Sequence, residues 1–217
     1  MKMKYHYDKQ NNKHSFQFLE SSQKILIESL MDSKLLKNIT ICDSSYKKIE
    51  FIAENVYTLN EYLNIIKIKR GLSKLSYDEC IQMAICIGKQ LYYLENNCNN
   101  SSTFGMLEMD KIFVIDYGII DSHIFIYLGE DLKTIQKNKI TFTCPFSKNE
   151  RNIFYSPEIL AINNLPCSID YRSVYYSLGS LISSCLISLD EIKMTKLYWF
   201  LMRCMNKDVT KRILLIL

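Results

Sequence analysis

The chain has 217 residues, of which 48% are hydrophobic and 23% charged, and its formal net charge is +4. This is the composition of an ordinary globular protein, and the length lets one domain bury a core without disulfides or metal ions. The positive charge comes from scattered lysines without a dense basic run, so nucleic-acid binding is not indicated.

The cysteines and the chain start bear on the compartment. Eight cysteines lie far apart without a Cys-x-x-Cys pair, which is typical of reduced core thiols and argues against a disulfide frame or a zinc site. The polar start shows no secretory signal, and no apolar segment is long enough to span a bilayer. We therefore expect a soluble intracellular protein of the cytoplasm or nucleus. Heavy use of Asn, Lys, Ile and Tyr suggests an AT-rich genome.

The N-terminal part reads as two strand pairs around one helix. Four short strand-like runs are separated by polar stretches: 5–7, 15–19, 39–42 and 49–53. Between the second and third runs, Ser21 and Ser22 can cap a helix whose apolar residues recur at helical spacing.

The remainder alternates helices with fewer strands. Apolar residues recur at helical spacing in five segments: 59–68, 77–96, 174–187, 197–205 and 212–217. The segment 174–187 is apolar on nearly every side, which predicts a buried helix. A strand is predicted over 112–116, after an asparagine-rich loop. Strand-like runs at 124–127 and 140–143 flank a polar stretch and predict a hairpin.

Four short motifs follow one another in the second half of the chain. They are Asp116-Tyr117-Gly118, Ser156-Pro157-Glu158, Ser177-Leu178-Gly179, and Asp208 to Arg212. In this order they resemble the Asp-Phe-Gly, Ala-Pro-Glu, Ser-Leu-Gly and Asp-Pro-x-x-Arg motifs of eukaryotic-type protein kinases. The resemblance implies one α+β, protein-kinase-like domain over 1–217. Its small, reduced, β-rich N-lobe would cover 1–55 and its mainly helical C-lobe 56–217, with the hinge near 54–57.

The parts that hold nucleotide in a kinase are mostly missing. Phosphoryl transfer depends on positioning phosphates and metal ions, and the phosphate-covering loop needs glycines. The first glycine is Gly71, beyond the N-lobe. By the resemblance, Gln17 stands in the place of the strand-three lysine. Lys13 remains an alternative source of that charge, and Glu28 is the candidate for the helix glutamate that pairs with it.

The catalytic loop of the family has no recognisable counterpart. The interval between Asp78 and Asp110 contains no Asp, Arg or His. The residues nearest the expected catalytic base are neutral and unsuited to the role: Cys98, Asn99 and Asn100. Ser102 or Thr103 falls near the metal-binding Asn. At the start of the central helix, Val174 stands where kinases have a bracing Asp, and Asp170 lies in the preceding loop.

The motif residues that survive are mostly structural. The resemblance pairs Glu158 with Arg212 in a buried ion pair. Asp116 is either a retained structural residue or a candidate Mg²⁺ ligand. No catalytic residue is assigned. The other motif residues, kept for structure, are Tyr117, Gly118, Ser156, Pro157, Gly179 and Asp208.

Three functional hypotheses follow. The first is a pseudokinase, a non-catalytic scaffold or allosteric regulator that binds a protein, with an active kinase among the candidate partners and no cofactor. The second is a divergent serine/threonine kinase or ATP-binding switch that uses ATP, Mg²⁺ and Asp116. The third is another α+β interaction protein. The stretch between Asp116 and Glu158 looks longer than usual and either covers the lobe or forms a docking surface. Loss of the usual substrate-docking helix before Leu197 would expose lobe surface for a protein contact.

Overall fold

The computed structural model describes residues 3–18, 24–42, 48–97, 101–118, 123–148, 150 and 152–214. Within these ranges α-helices and mostly antiparallel strand pairs alternate along the chain, so the protein belongs to the α+β class.

The N-terminal part forms a four-stranded antiparallel sheet. Its strands are β1 (Met3–Asp8), β2 (Lys13–Phe18), β3 (Thr40–Ile41) and β4 (Lys48–Phe51), in the spatial order β1-β2-β4-β3. Helix α1 (Lys24–Asp32) connects β2 to β3. Strand pair, helix and strand pair follow one another as the sequence predicts. The proposed caps Ser21 and Ser22 lie outside the described residues.

A second sheet connects the N-terminal part to the rest. It is antiparallel, with the order β5 (Asn55–Thr58), β8 (Ile112–Asp116) and β9 (His123–Tyr127). Residues 54–57 were expected to form a hinge, but most of them lie in β5. Val56 and Tyr57 favour extended backbone, and β8 supplies the partner that turns this preference into a strand.

Two well-capped helices follow β5. Helix α2 (Leu59–Arg70) begins at a capping box of Thr58 with Glu61, and α3 (Tyr77–Glu95) begins at the same device formed by Ser76 and Glu79. Each box satisfies backbone N–H groups that the first helical turn leaves free. Gly71 ends α2 at a φ of 78°, a left-handed conformation that glycine adopts without steric cost.

Three separate strand pairs fill the middle of the chain. They are β6 (Ser102–Phe104) with β10 (Leu132–Thr134), β7 (Leu107–Glu108) with β12 (Ile153–Phe154), and β11 (Lys139–Phe142) with β13 (Cys167–Asp170). The hairpin predicted between 124–127 and 140–143 is therefore wrong. β9 pairs with β8, β11 pairs with β13, and the polar stretch between them contains β10. The alternation of apolar and polar residues located β9 and β11, but which strand each of them pairs with depends on segments elsewhere in the chain.

The C-terminal part packs around one apolar helix. Its helices are α4 (Pro157–Leu160), α5 (Ser173–Cys185) and α6 (Lys196–Cys204). α5 packs against α3 and α6. The last helix was predicted over 212–217, but Arg212 is extended with a ψ of 125° and follows a short 3-10 turn over Val209–Lys211. The end of that prediction, 215–217, lies outside the described residues. The described residues from Asn55 onward also form nine strands, β5 to β13, so this part is less purely helical than expected.

One hydrophobic core spans both sheets and the main helices. Phe16 and Phe51 of the first sheet, Phe113 of the second, and Leu178 of α5 all belong to one buried cluster. A smaller cluster around Phe142 and the helix α4 lies beside the three strand pairs. In the described part of the chain, no helix is both long and apolar enough to cross a membrane.

A buried glutamine attaches α3 to the end of β9. The Gln90 Nε2 donates to the Tyr127 carbonyl at 2.7 Å, and the Tyr127 N–H donates to Gln90 Oε1 at 3.0 Å. Gln90 is 0% exposed, so both bonds satisfy groups that water does not reach.

Candidate functional site

The motif Asp116-Tyr117-Gly118 forms a turn at the end of β8. Asp116 Oδ1 accepts a hydrogen bond from the Gly118 N–H at 2.8 Å, which is the side-chain-to-backbone contact that favours Asp in turns. Gly118 has a φ of 73°, a conformation that disfavours any other residue. The spacing of Asp and Gly in this motif is thus explained by turn geometry alone.

Tyr117 ties this turn to the segment after α1. Its hydroxyl accepts the Lys37 backbone N–H at 2.9 Å, and the Lys37 ammonium lies 5.0 Å from the centre of its ring. Burial raises the pKa of the Tyr117 phenol, although the hydrogen bond from Lys37 opposes the rise. Tyr117 therefore connects the segment between α1 and β3 to the end of the second sheet.

The ion pair expected between Glu158 and Arg212 is present in the structure. Arg212 donates from its two terminal nitrogens to both carboxylate oxygens, at 2.9 and 2.7 Å. Its side chain is 0% exposed, and the ring of Tyr176 lies 5.0 Å from the guanidinium carbon. Burial tends to raise the pKa of Glu158, but hydrogen bonds from Arg212 and Ser156 outweigh it and lower the pKa.

The remaining motif residues also make local contacts. Ser156 is the N-cap of α4 and accepts the Ile159 N–H, with Pro157 in the first turn. Asp208 accepts the Thr210 N–H at 3.0 Å and so begins the 3-10 turn before Arg212. Gly179 lies where α5 meets α6, and a Cβ atom built on it would come within 2.7 Å of Met205 Cγ.

Ser177 has a contact that sequence reasoning missed. Its Oγ accepts the Leu107 N–H at 3.2 Å and donates to the Phe154 carbonyl. α5 thus holds the pair β7–β12 through a hydroxyl group. Val174, at the position of the bracing Asp of kinases, is fully buried. Asp170, at the end of β13, pairs with Arg172. A serine in an apolar helix was the available signal, because a buried hydroxyl needs a partner.

The groups proposed for phosphate binding do not come together. Gln17 is exposed on the outer face of the first sheet. Lys13 pairs with Glu50 on that same face, at 3.6 Å, and Glu28 pairs with Lys24 along α1, at 3.6 Å. Strand residues alternate between faces, so the inner positions of β2 belong to Phe16 and its buried neighbours.

Aromatic side chains fill the space between the first sheet and β8. The ring of Phe16 lies 5.4 Å from Phe51 and 4.9 Å from Phe113. Tyr5 completes the group at 5.6 Å from Phe16 and 6.5 Å from Phe113. Phe16, Phe51 and Phe113 are each at most 3% exposed. We call these four residues the aromatic contact. It fills the space between the first sheet and β8.

The catalytic-loop candidates divide into two groups. Cys98, Asn99 and Asn100 lie outside the described residues. Ser102 and Thr103 are buried in β6, and the Thr103 hydroxyl lies 3.4 Å from Glu95 Oε1. Within the described ranges, no group of three or more His, Cys, Asp or Glu side chains could hold a metal ion.

A cleft lies where the three strand pairs meet. Its volume is about 460 Å³, within the usual range of ligand pockets. Phe142, Phe146 and Tyr155 give it aromatic walls, and Glu108, Asp131 and Glu150 give it carboxylates. We call this the acidic cleft. Its residues come from three separate segments of the chain, 106–108, 131–133 and 142–155, so no sequence motif marked it.

Negative charge accumulates at the acidic cleft. Burial raises the pKa of Glu108 above its ordinary value, and the charges of Glu150, Asp131 and Glu130 raise it further, against the opposing effect of Lys111. Among the described lining residues, Lys133 carries the positive charge. It pairs with Asp131 Oδ1 at 2.5 Å, and its ammonium lies 5.0 Å from the centre of the Phe142 ring.

Comparison with known proteins does not assign a family. No family model matches the chain, and no curated protein matches it either.

Proposed function

We propose that this protein is a kinase-shaped domain that binds a protein partner and does not transfer phosphate. The order of the four motifs supports the kinase shape. So do the small N-terminal sheet with helix α1, the apolar helix α5, and the Glu158–Arg212 ion pair. These features concern shape, and function has to be argued from the site itself.

The observation that carries the proposal is the aromatic contact. A nucleotide held between two lobes needs open space and cationic or backbone donors for its phosphates. Here Phe16, Phe51 and Phe113 occupy that space in van der Waals contact. Opening it would expose buried aromatic surface, at roughly 25 cal/mol for each Å². The space that these residues fill therefore does not fit ATP.

The Asp-Phe-Gly motif can be aligned with this chain at a second place. The unusual length between Asp116 and Glu158 is explained by β9, which folds back on β8. If the β8–β9 hairpin is placed before the Asp-Phe-Gly motif, Tyr127-Leu128-Gly129 at the end of β9 becomes a second candidate for that motif. Tyr127 is 0% exposed, and its hydroxyl donates to the Met106 carbonyl at 3.2 Å. In this alternative register, unlike the first, the metal-binding carboxylate is replaced by the packed side chain of Tyr127.

The competing hypothesis is an ATP-binding switch in which Asp116 binds Mg²⁺. Asp116 lies at the far end of β8 from the acidic cleft, since β8 begins at Ile112, and only the short turn Met109–Lys111 separates it from Glu108 at the end of β7. The strand between these ends spans roughly 13 Å. Asp116 therefore cannot act together with the carboxylates of the cleft on one bound metal–nucleotide complex.

Nucleotide binding tests the proposal directly. We expect the melting temperature of the full chain to be unchanged by ATP at about 1 mM with Mg²⁺ or Mn²⁺. A ligand at 100 times its Kd would stabilise the fold by about 2.7 kcal/mol, which corresponds to a shift of roughly 5–10 °C at this size. Thermal unfolding by circular dichroism measures the shift.

The matched variants are Asp116→Ala and Asp110→Ala, which remove one exposed or half-exposed carboxylate each. We expect neither to alter the response to nucleotide. A magnesium-dependent shift that Asp116→Ala abolishes and Asp110→Ala leaves intact would refute the proposal and establish the ATP-binding switch.

A further inference from the structure

In the acidic cleft, an aromatic ring and a carboxylate together bind the ammonium group of Lys133. Lys133 places its ammonium over the Phe142 ring and against Asp131. An aromatic face attracts a cation through its quadrupole, and a carboxylate adds direct charge attraction. The same two kinds of group recur elsewhere in the cleft lining, as Phe146 and Tyr155 with Glu108 and Glu150.

The carboxylates of Glu108 and Glu150 differ from that of Asp131 in their pairing. Among the described residues, Glu108 and Glu150 form no ion pair, whereas Asp131 is paired with Lys133. Among the described residues of the cleft lining, carboxylates outnumber cations by three to one. Part of this negative charge is desolvated, because Glu108 is half-buried. A bound cation would relieve that repulsion.

The shape of the aromatic wall favours a planar cation. The rings of Phe146 and Tyr155 are nearly parallel, at 24° and 6.2 Å between centres, and Phe142 lies 5.3 Å from Phe146. A guanidinium stacks on such faces and presents a fork of donors to carboxylates, which a lysine ammonium does not. We propose that the acidic cleft binds an arginine side chain of a protein partner.

A neighbouring cavity extends the site along the partner chain. It has a volume of about 240 Å³ and shares Pro145 and Phe146 with the acidic cleft. Ile162 and Leu165 give it apolar walls. An arginine in the acidic cleft would place an adjacent apolar residue of the same partner segment here. The recognised segment therefore contains arginine next to a leucine-like residue.

This inference rests on the proposed protein-binding function and names the chemistry of the partner. The probe is a short fluorescein-labelled peptide containing Gly-Arg-Leu-Gly, titrated with the full chain and followed by fluorescence anisotropy. The matched ligand replaces arginine by citrulline, which has nearly the same shape without charge. We expect the arginine peptide to bind and the citrulline peptide to bind at least tenfold more weakly.

Charge-neutral variants locate the binding. Glu108→Gln and Glu150→Gln should each weaken the arginine peptide by about tenfold. Glu150 is exposed, so its variant tests the site even where Glu108→Gln unfolds the protein. Glu191→Gln, at an exposed carboxylate on the 3-10 turn before α6, should leave the affinity unchanged.

The proposal is overturned by any of three results. These are no binding of the arginine peptide, equal binding of the citrulline peptide, or a loss with Glu191→Gln as large as that with Glu150→Gln. Each of them would leave the nucleotide experiment unaffected. Conversely, magnesium-dependent ATP binding would refute the proposed function without changing the peptide result.

Discussion

Glu95 is a buried carboxyl group near the end of α3 without a cation beside it in the described structure. Burial raises its pKa to about 7, although hydrogen bonds from the hydroxyls of Tyr175, at 2.6 Å, and Thr103 partly lower it. The folded state thus holds this proton more tightly than the unfolded chain, in which the pKa is near 4.5. The contribution of Glu95 to stability is therefore greatest at low pH.

We expect Glu95 to make the free energy of unfolding fall between pH 4.5 and pH 7 by on the order of 2 kcal/mol. Glu95→Gln keeps an oxygen that accepts the Tyr175 hydroxyl and cannot ionise, so it should remove this fall and stabilise the protein at pH 8. Urea unfolding at pH 5 and pH 8 measures both. The exposed control Glu191→Gln should keep the fall, and an equal loss of stability at both pH values in Glu95→Gln would contradict the expectation.

At this scale the sequence predicts some residues well and misplaces others. The pairing of Glu158 with Arg212 follows from the motif order, because a buried charge needs its partner. Gln17 was placed in a lysine position, whereas its neighbour Phe16 points inward. A shift of one residue along a strand exchanges the two faces, and only contact with the second sheet fixes which face is buried.

Among the helices, the contact between α5 and α6 is close because of Gly179. A Cβ at this position would lie 2.7 Å from Met205 Cγ and 3.0 Å from Cys204 Cβ. Gly88 in α3 offers a matched comparison, since a Cβ there would meet Leu214 at an ordinary 3.9 Å. Both glycines lie inside helices, where alanine is intrinsically favoured.

We expect Gly179→Ala to lower the free energy of unfolding by about 1–3 kcal/mol, because the helices must move apart. Gly88→Ala should raise it by roughly 0.5–1 kcal/mol through helix propensity. Urea unfolding of the two variants beside the parent protein measures both changes. If the two substitutions shift stability in the same direction, the close packing of α5 on α6 is not a real constraint.

Element existence was more predictable than element pairing. The period of 3.6 located α3 over nearly its whole length, and alternation located β9 and β11. The partner of β11 is β13, which follows it only after a long intervening segment. Nothing local specifies that choice. The acidic cleft escaped prediction for the same reason, since it exists only where three such pairs meet.

For the whole molecule, the continuous core means that the sheet of the N-terminal part and the C-terminal helices should unfold together. Phe16 and Leu178 belong to one buried cluster, joined through the aromatic contact. Trp199, the only tryptophan, is half-exposed on α6. Its fluorescence therefore reports on a helix distant in sequence from β2.

We expect Trp199 fluorescence and far-ultraviolet circular dichroism to give the same urea midpoint. Phe16→Ala should lower both midpoints together, at a cost of about 3–5 kcal/mol. Ile68→Ala, at a side chain that is 86% exposed, should move neither. A Trp199 transition that stays in place when Phe16 is truncated would show that the two parts fold independently.

Gln90 has a consequence for how copies of this protein meet one another in solution. β9 is the last strand of its sheet, and a last strand invites a neighbouring chain to add its own backbone. The side-chain amide of Gln90 donates to and accepts from Tyr127 as another peptide unit would, while α3 lies against the strand. The end of β9 therefore cannot pair with a strand of another copy. This protects the protein from aggregating along that edge of the sheet.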